Sequence, residues 1–412
     1  GNTERNIRRT NRAAVRFRQW LAANVPDLIV YGDFSQDIPF IESFDGVLLF
    51  ADISGFTALT EKFSVETSLD CGADQLTQTL NHYVGDIVEE VLIFGGDILN
   101  FAGDALLALW KVERSQLSDI ITLALKCSLS IQEEYGVRET EVGLELRVKI
   151  GLSAGHISKV VVGDNRHQYF LVIGRAVDEV RLAQNLANAS EVILSPNCWE
   201  LCNRNMIEVE KIKNERAVKV RYIKNVPGFN IDDFFERCIK YLQYFPANNP
   251  GEFFRFLCSC DLMGKGIGPA FLFQIDDNQP LEYLSELRPV TIVFVNLQFD
   301  ESANTLHLCK AIQDASAKIS GIIYAFHGKI NKVFMFDKGC TYLCVFGLPG
   351  DKQADESTHA LDSAFKIFGF CSTMLMKIKL VSIAVTSGPV FCGVVGHRVR
   401  HEYTEMKTTF CF

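Results

Sequence analysis

Val148–Gly163 reads VKIGLSAGHISKVVVG, and Val381–Gly396 reads VSIAVTSGPVFCGVVG. The two segments lie on one another without a gap, Gly155 over Gly388 and Gly163 over Gly396. Outward from them, GVLLFADISGF (Gly46–Phe56) has its counterpart in VTIVFVNLQF (Val290–Phe299). FGGDILNFAGDALLALW, which starts at Phe94, has one in FHGKINKVFMFDKGCTYLCVFG, which starts at Phe326. Three matched blocks in the same order make an internal repeat. Within the first copy, apolar and helical periodicities predict a strand over 46–52, a helix over 66–92, a hairpin over 97–110, a helix over 116–135 and a strand pair over 146–163. The order β-α-β-β-α-β-β predicts an α+β protein: two tandem ferredoxin-like domains in a pseudo-symmetric pair, each a sheet with helices on one face.

The repeat divides the chain into a helical segment over 1–43, a first catalytic-type domain over 44–222, a connecting segment over 223–288 and a second domain over 289–412. The connecting segment carries Pro227, Pro246, Asn248, Asn249, Pro250 and Gly251 beside the aromatic patch FFERCIKYLQYF, so it reads as structured and not as a flexible tether. At 412 residues, 48% hydrophobic and 22% charged, the composition is that of a folded protein. A net charge of -9 argues against a broad nucleic-acid surface, so an anionic substrate must be met by a few local cations. No stretch approaches the ~18 consecutive apolar residues of a membrane helix, which predicts a cytoplasmic protein. The 13 cysteines are scattered and match no zinc spacing, so they read as reduced core residues. Arg5, Arg8, Arg9, Arg12, Arg16 and Arg18 are opposed only by Glu4. Such a segment fits a solvated helix face, or a targeting or lipid-facing helix that would associate the chain with organelles.

Two aspartates stand out. Asp52 ends an apolar strand and precedes Ile-Ser-Gly-Phe-Thr, a turn into a helix whose first amides could hold phosphate oxygens. Asp104 lies in Ala-Gly-Asp-Ala, at the tip of the predicted hairpin. Either alone reads as a turn or cap residue. If the two strands are neighbours, both carboxylates converge at one end of the sheet, and divalent metal ions would remove their mutual repulsion.

FDGVLLFADISGFTALTEKF, FGGDILNFAGDALLALW and RVKIGLSAGHI resemble the first catalytic domain of the class III nucleotide cyclases, nearest to their soluble, bicarbonate-responsive adenylyl branch. The likeness extends over about residues 26–404 and includes LSELRPVTIVFVNL and INKVFMFDKGC. It implies a pair of domains sharing an active site at their interface, where ATP becomes cyclic AMP by in-line attack of the ribose 3'-hydroxyl on the α-phosphorus. It assigns two metal ions, Mg²⁺ or Mn²⁺ with Ca²⁺ as a further candidate, to Asp52, Asp104 and the carbonyl of Ile53. Gly55, Phe56 and Thr57 fall in its triphosphate loop, Lys149 pairs with phosphate, and Lys332 and Thr404 contact adenine. Without the resemblance, Lys149 and Lys332 read as ordinary strand lysines. A palm-type polymerase or diguanylate cyclase, which Gly95-Gly96-Asp97 brings to mind, would need Glu-Phe after that triplet and a basic groove, and the chain has neither.

The second copy departs from the pattern. Asn296 stands at the position of Asp52, and Asp337 lies in a hairpin with an altered tip, so one metal site per pair of domains is expected. With the offset of 233 (396 − 163), Thr404 corresponds to Leu171, and the match collapses from Glu405 to Phe412. The second domain is therefore expected to be cut short after about 404, with an apolar sheet face left open. The family's Asn-x-x-x-Arg pair would start at Cys411, the counterpart of Asp178, with its arginine beyond the end. This makes a weak or inactive nucleotide- or metal-binding regulatory chain the alternative function. In the bicarbonate-responsive branch the anion is held by a lysine and an arginine of the first domain. Here the arginine is Arg181, with Val172 beside it, but the lysine's place is taken by Asn100, so bicarbonate activation is expected to weaken.

Overall fold

The computed structural model describes residues 22–32, 36–66, 69–164, 167–243, 286–300, 304–336, 339–348, 351–374 and 378–407. The arginine-rich start, most of the connecting segment, Asp337 and Cys411 lie outside them. In chain order the first copy runs α1 (Asp27–Val30), β1 (Phe40–Ser54), α2 (Phe56–Glu66), α3 (Leu69–Ile93), β2 (Asp97–Ala102), β3 (Ala105–Val112), α4 (Leu117–Tyr135), β4 (Val137–Glu139), β5 (Glu145–Gly163), β6 (Gln168–Ile173) and α5 (Arg175–Leu186). It continues with β7 (Val192–Leu194), α6 (Pro196–Leu201), β8 (Ile207–Lys211), β9 (Val218–Ile223) and α7 (Ile231–Gln243). The second copy has β10 (Glu286–Phe299), α8 (Thr305–Ala325), β11 (Lys329–Phe336), β12 (Gly339–Phe346), α9 (Glu356–Thr373), β13 (Ile378–His397) and β14 (Arg400–Lys407).

The two sheets repeat one another. In the first, β2-β3-β1-β5 carries β6 on β5 and extends through β7, β9 and β8. In the second the order is β11-β12-β10-β13-β14. The alternating register of β1 explains its placement. Val47, Leu49, Ala51 and Ile53 pack with Leu80, Val84 and Ile87 of α3 and with Ile121 and Leu125 of α4. Leu48 and Phe50 point the other way and meet Ala176 and Val180 of α5.

Three sequence expectations change. The strand pair over 146–163 is one 19-residue strand, β5. Its Ser-Ala-Gly-His centre is no hairpin turn, and β1 continues opposite it, with Gly155 (φ +146°) facing Gly46. Helices cover both faces of the first sheet, not one, because β1 is apolar on both sides and each side needs burial. The second sheet's apolar face is open only in part: Leu380 is 49% exposed, but Val290, Ile292, Val345 and Val390 are each at most 3% exposed. They pack with Leu343, Leu348 and Cys392, edged by Phe294 and Tyr403. Beyond Thr404, β14 keeps its ladder with β13 as far as Lys407, since backbone pairing tolerates the changed side chains.

Each copy lays its long helix on the other's long strand. Phe391 and Val395 of β13 join the core of α3, and Val160 and Val162 of β5 join that of α8. The contact is fixed by two equivalent amides, Asn81 and Gln313, which the offset of 232 (326 − 94) superposes. Asn81 accepts from Gly396 N–H and donates to Val394 C=O, both at 3.0 Å. Gln313 accepts from Gly163 N–H at 2.8 Å and donates to its C=O at 2.6 Å. Both glycines are left-handed, at φ +125° and +130°. A Cβ on Gly163 would lie 2.0 Å from His167 C=O, so no other residue fits there.

Asn81→Ala or Gln313→Ala strands a backbone N–H and C=O at the interface, and each should lower unfolding stability by about 1–3 kcal/mol in urea titration. His401 is 3% exposed on β14. Burial, reinforced by Arg400, pushes its pKa down to about 4. The unfolded state, in which histidine keeps its usual pKa of 6.5, takes up this proton first on acidification. Stability from His401 is thus complete above about pH 6.5 and is lost as pH falls toward about 4, at up to ~1.4 kcal/mol per pH unit. His401→Gln should show a smaller drop in urea midpoint between pH 7.5 and 5 than the parent chain, and equal drops would contradict this.

Candidate active site

β1 carries Asp52 between Ala105 of β3 and Lys149 of β5, its direct partners in the two ladders. The β2–β3 hairpin closes through Gly103 (φ +66°) and Asp104, and Asp104 C=O accepts from Ile53 N–H at 3.0 Å. This bond pins the hairpin tip beside the end of β1 and brings the two aspartates together, as the sequence predicts for neighbouring strands. Ile53 has its side chain buried, so its backbone is what it offers to the site. Gly55 (φ +97°) makes the turn into α2, where a Cβ would lie 2.7 Å from Glu145 C=O. Phe56, the first residue of α2, is buried, and Thr57 beside it is exposed.

The electrostatics are those of a carboxylate pair lacking enough positive charge. Burial, then the charge of Asp52, pushes Asp104 up to about 6, with Lys149 only partly opposing. Asp52 is raised by burial, against the pull of Lys149 and a hydrogen bond from Gln184. Two oxygen-donor side chains and a nearby carbonyl suit a hard divalent cation, which would remove this cost. Among the described residues no group of three or more His, Cys, Asp or Glu could hold a metal. Further donors would therefore be carbonyl, solvent or substrate oxygens, the usual arrangement for a cation that shares its ligands with phosphates.

On the second copy, Lys332 of β11 reaches back to the first. Its Nζ donates to Phe101 C=O and lies 3.1 Å from Glu402. Glu402 also accepts from Arg400 at 2.6 Å and from Phe101 N–H at 3.3 Å. Arg400 in turn donates to Ile98 and Leu99 C=O. Lys332 is thus part of an interface network and not an exposed strand lysine. Thr404 lies on β14 opposite Gly393, and its side chain is outside the described residues. Asn296, at the position of Asp52, donates to Thr341 Oγ1 at 2.9 Å, a neutral pair where the first copy has charge.

The residues expected to form an anion site border one apolar cluster of the first copy. Val172 on β6 packs with Ala176 and Val180 of α5, the helix that carries Arg181. Asn100 on β2 pairs with Leu107 of β3, a member of the same cluster. The residue that sequence reading missed is Gln184, whose Nε2 donates to Asp52 Oδ2 at 3.2 Å. Its signal was available: Ala176, Val180 and Gln184 recur at four-residue spacing, so a polar residue continues a buried stripe.

The family described as adenylate and guanylate cyclase catalytic domain matches residues 41–231. Adenylate cyclase type 10 of Oryctolagus cuniculus is 58% identical over 401 residues, covering 96% of this chain and 25% of that protein. The Homo sapiens counterpart is 56% identical over 399 residues, covering 94% of this chain and 25% of its own length. The chain thus spans about a quarter of the curated relatives it matches. A class III adenylyl cyclase-like ATP-binding protein from Pseudomonas aeruginosa shares the fold, with TM-score 0.57 and 10% identity over 96% of this chain and 87% of that one. No helix among the described residues is long and apolar enough to cross a membrane. The repeated sheets, the paired aspartates of the first copy and these likenesses converge: the chain belongs to the class III nucleotide cyclases, a family that uses divalent metal ions.

Proposed function

We propose that this chain converts ATP to cyclic AMP and pyrophosphate. The observation that carries the reading is the convergence of Asp52 and Asp104 at one sheet end, with the Lys332 network of the second copy across the interface. Asp52, Asp104 and the Ile53 carbonyl would hold two divalent cations, Mg²⁺ or Mn²⁺ with Ca²⁺ as a further candidate. When bound, these would neutralise phosphate charge and acidify the ribose 3'-hydroxyl. The amides after Gly55, at Phe56 and Thr57, hold the triphosphate at a helix start. Lys149, beside Asp52, pairs with phosphate. The new bond joins O3' to the α-phosphorus as the bond to pyrophosphate breaks. Lys332 donates to adenine N1, with Thr404 as the second base contact, which favours ATP over GTP.

Bicarbonate is proposed as a weak activator through Arg181 and Val172, with Asn100 supplying an amide and no charge. One observation favours a second reading, a metal-binding chain with weak or no turnover: Lys332 is already held by Glu402 and Phe101, and a base must compete for it.

Incubating the 412-residue chain with ATP and Mn²⁺ should yield cyclic AMP. Asp52→Ala and Asp104→Ala should each reduce the rate by about a hundredfold or more. Full activity in either variant sinks the metal-site reading, and no product from a folded parent chain favours the binding-only one. Lys332→Ala should cut the ATP-over-GTP ratio of kcat/KM by about tenfold or more, and an unchanged ratio would remove Lys332 from base recognition.

A further inference from the structure

We propose that Gln184 is a positioning residue for Asp52, holding its carboxylate in the rotation that presents the remaining oxygen lone pairs to a cation. The inference rests on the reading of Asp52 as a cation ligand. Gln184 is 5% exposed, and its Nε2 donates to Asp52 Oδ2 at 3.2 Å. Lys149, the cross-strand partner of Asp52 on β5, adds a positive charge beside the same carboxylate. A carboxylate with one oxygen fixed loses its freedom to turn about the Cβ–Cγ bond. Metal-binding carboxylates that are themselves hydrogen-bonded hold their ions better for this reason.

A second feature makes the amide a rigid support. Gly151 of β5 lies directly under α5: a Cβ there would come within 2.4 Å of Gln184 N and 2.6 Å of Val180 C=O. Its missing side chain lets the helix sit on the strand at backbone contact. One turn earlier, Ser153 Oγ donates to Ala176 C=O, in a buried bond. The helix is thus seated on β5 at Ala176, Val180 and Gln184, so the amide is delivered by fixed backbone. In the second copy, where Asn296 replaces Asp52, Thr341 of the neighbouring strand supplies the partner instead.

The test uses the full chain, titrated with Mn²⁺ by electron paramagnetic resonance in the presence of α,β-methylene-ATP. Gln184→Met removes the donor at similar length. Gln184→Asn keeps the amide but is one methylene too short to reach, and it serves if the first variant fails to fold. Asp52→Asn is the reference for loss of the ligand. Each Gln184 variant should weaken Mn²⁺ binding by about tenfold or more, while affinity for the analogue in EDTA changes less than about twofold. A general distortion of the site would weaken both. If Asp52→Asn weakens Mn²⁺ binding and the folded Gln184 variants do not, the positioning role is wrong and the metal site stands. If Asp52→Asn leaves Mn²⁺ binding unchanged, Asp52 is no ligand and this inference falls with it.

Discussion

The reciprocal amide clamps of Asn81 and Gln313 are what join two similar sheets at one interface. Each reads the main chain of a left-handed glycine at the end of the opposite long strand, Gly396 or Gly163, where no side chain could intervene. With α3 seated on β13 and α8 on β5, the edge strand β2 is brought against β14. Phe101 is then within reach of Lys332, and Ile98 and Leu99 within reach of Arg400. Without this pairing the first copy would keep its aspartates, but nothing would hold the proposed base side opposite them.

The two copies have the same sheet and unequal chemistry. In the first, burial and proximity raise the cost of ionising Asp104, and Lys149 offsets only part of it. The position is electrostatically unsettled, which is common where a charged ligand or ion is to be bound. In the second, the corresponding Asn296 and Thr341 satisfy one another without charge. The interface network around Lys332 has a different character again. Arg400 is 4% exposed and donates to the carbonyls of Ile98, Leu99 and His401 and to Glu402, so its charge is spread over partners that belong to both copies.

Much of this was legible in the sequence because repeats and turn chemistry are local. The Val148–Gly163 and Val381–Gly396 match fixed the architecture, and Ala-Gly-Asp-Ala fixed the hairpin that places Asp104. The errors came from what periodicity does not encode. A glycine in a strand can mark a turn or a positive-φ residue inside one continuous strand, and Gly155 (φ +146°) is the latter, so one strand reads as two. The run around Leu48 and Leu49 could not say that both faces were covered, since α5 is distant in sequence. Gln184 was missed for the same reason: its bond to Asp52 spans 132 residues. Lys332 meets Glu402 on β14 and the carbonyl of Phe101 in the opposite copy, and both are distant from it in sequence.

The central claim is that Asp52 and Asp104 jointly hold a metal pair over which a nucleotide spans the two copies. The most direct measurement is anomalous diffraction from crystals of the chain grown with Mn²⁺ and α,β-methylene-ATP. The account predicts two manganese peaks about 3.5–4 Å apart, both contacted by Asp52 and Asp104, with the adenine at Lys332. Manganese peaks elsewhere, or a nucleotide bound away from these aspartates, would contradict it.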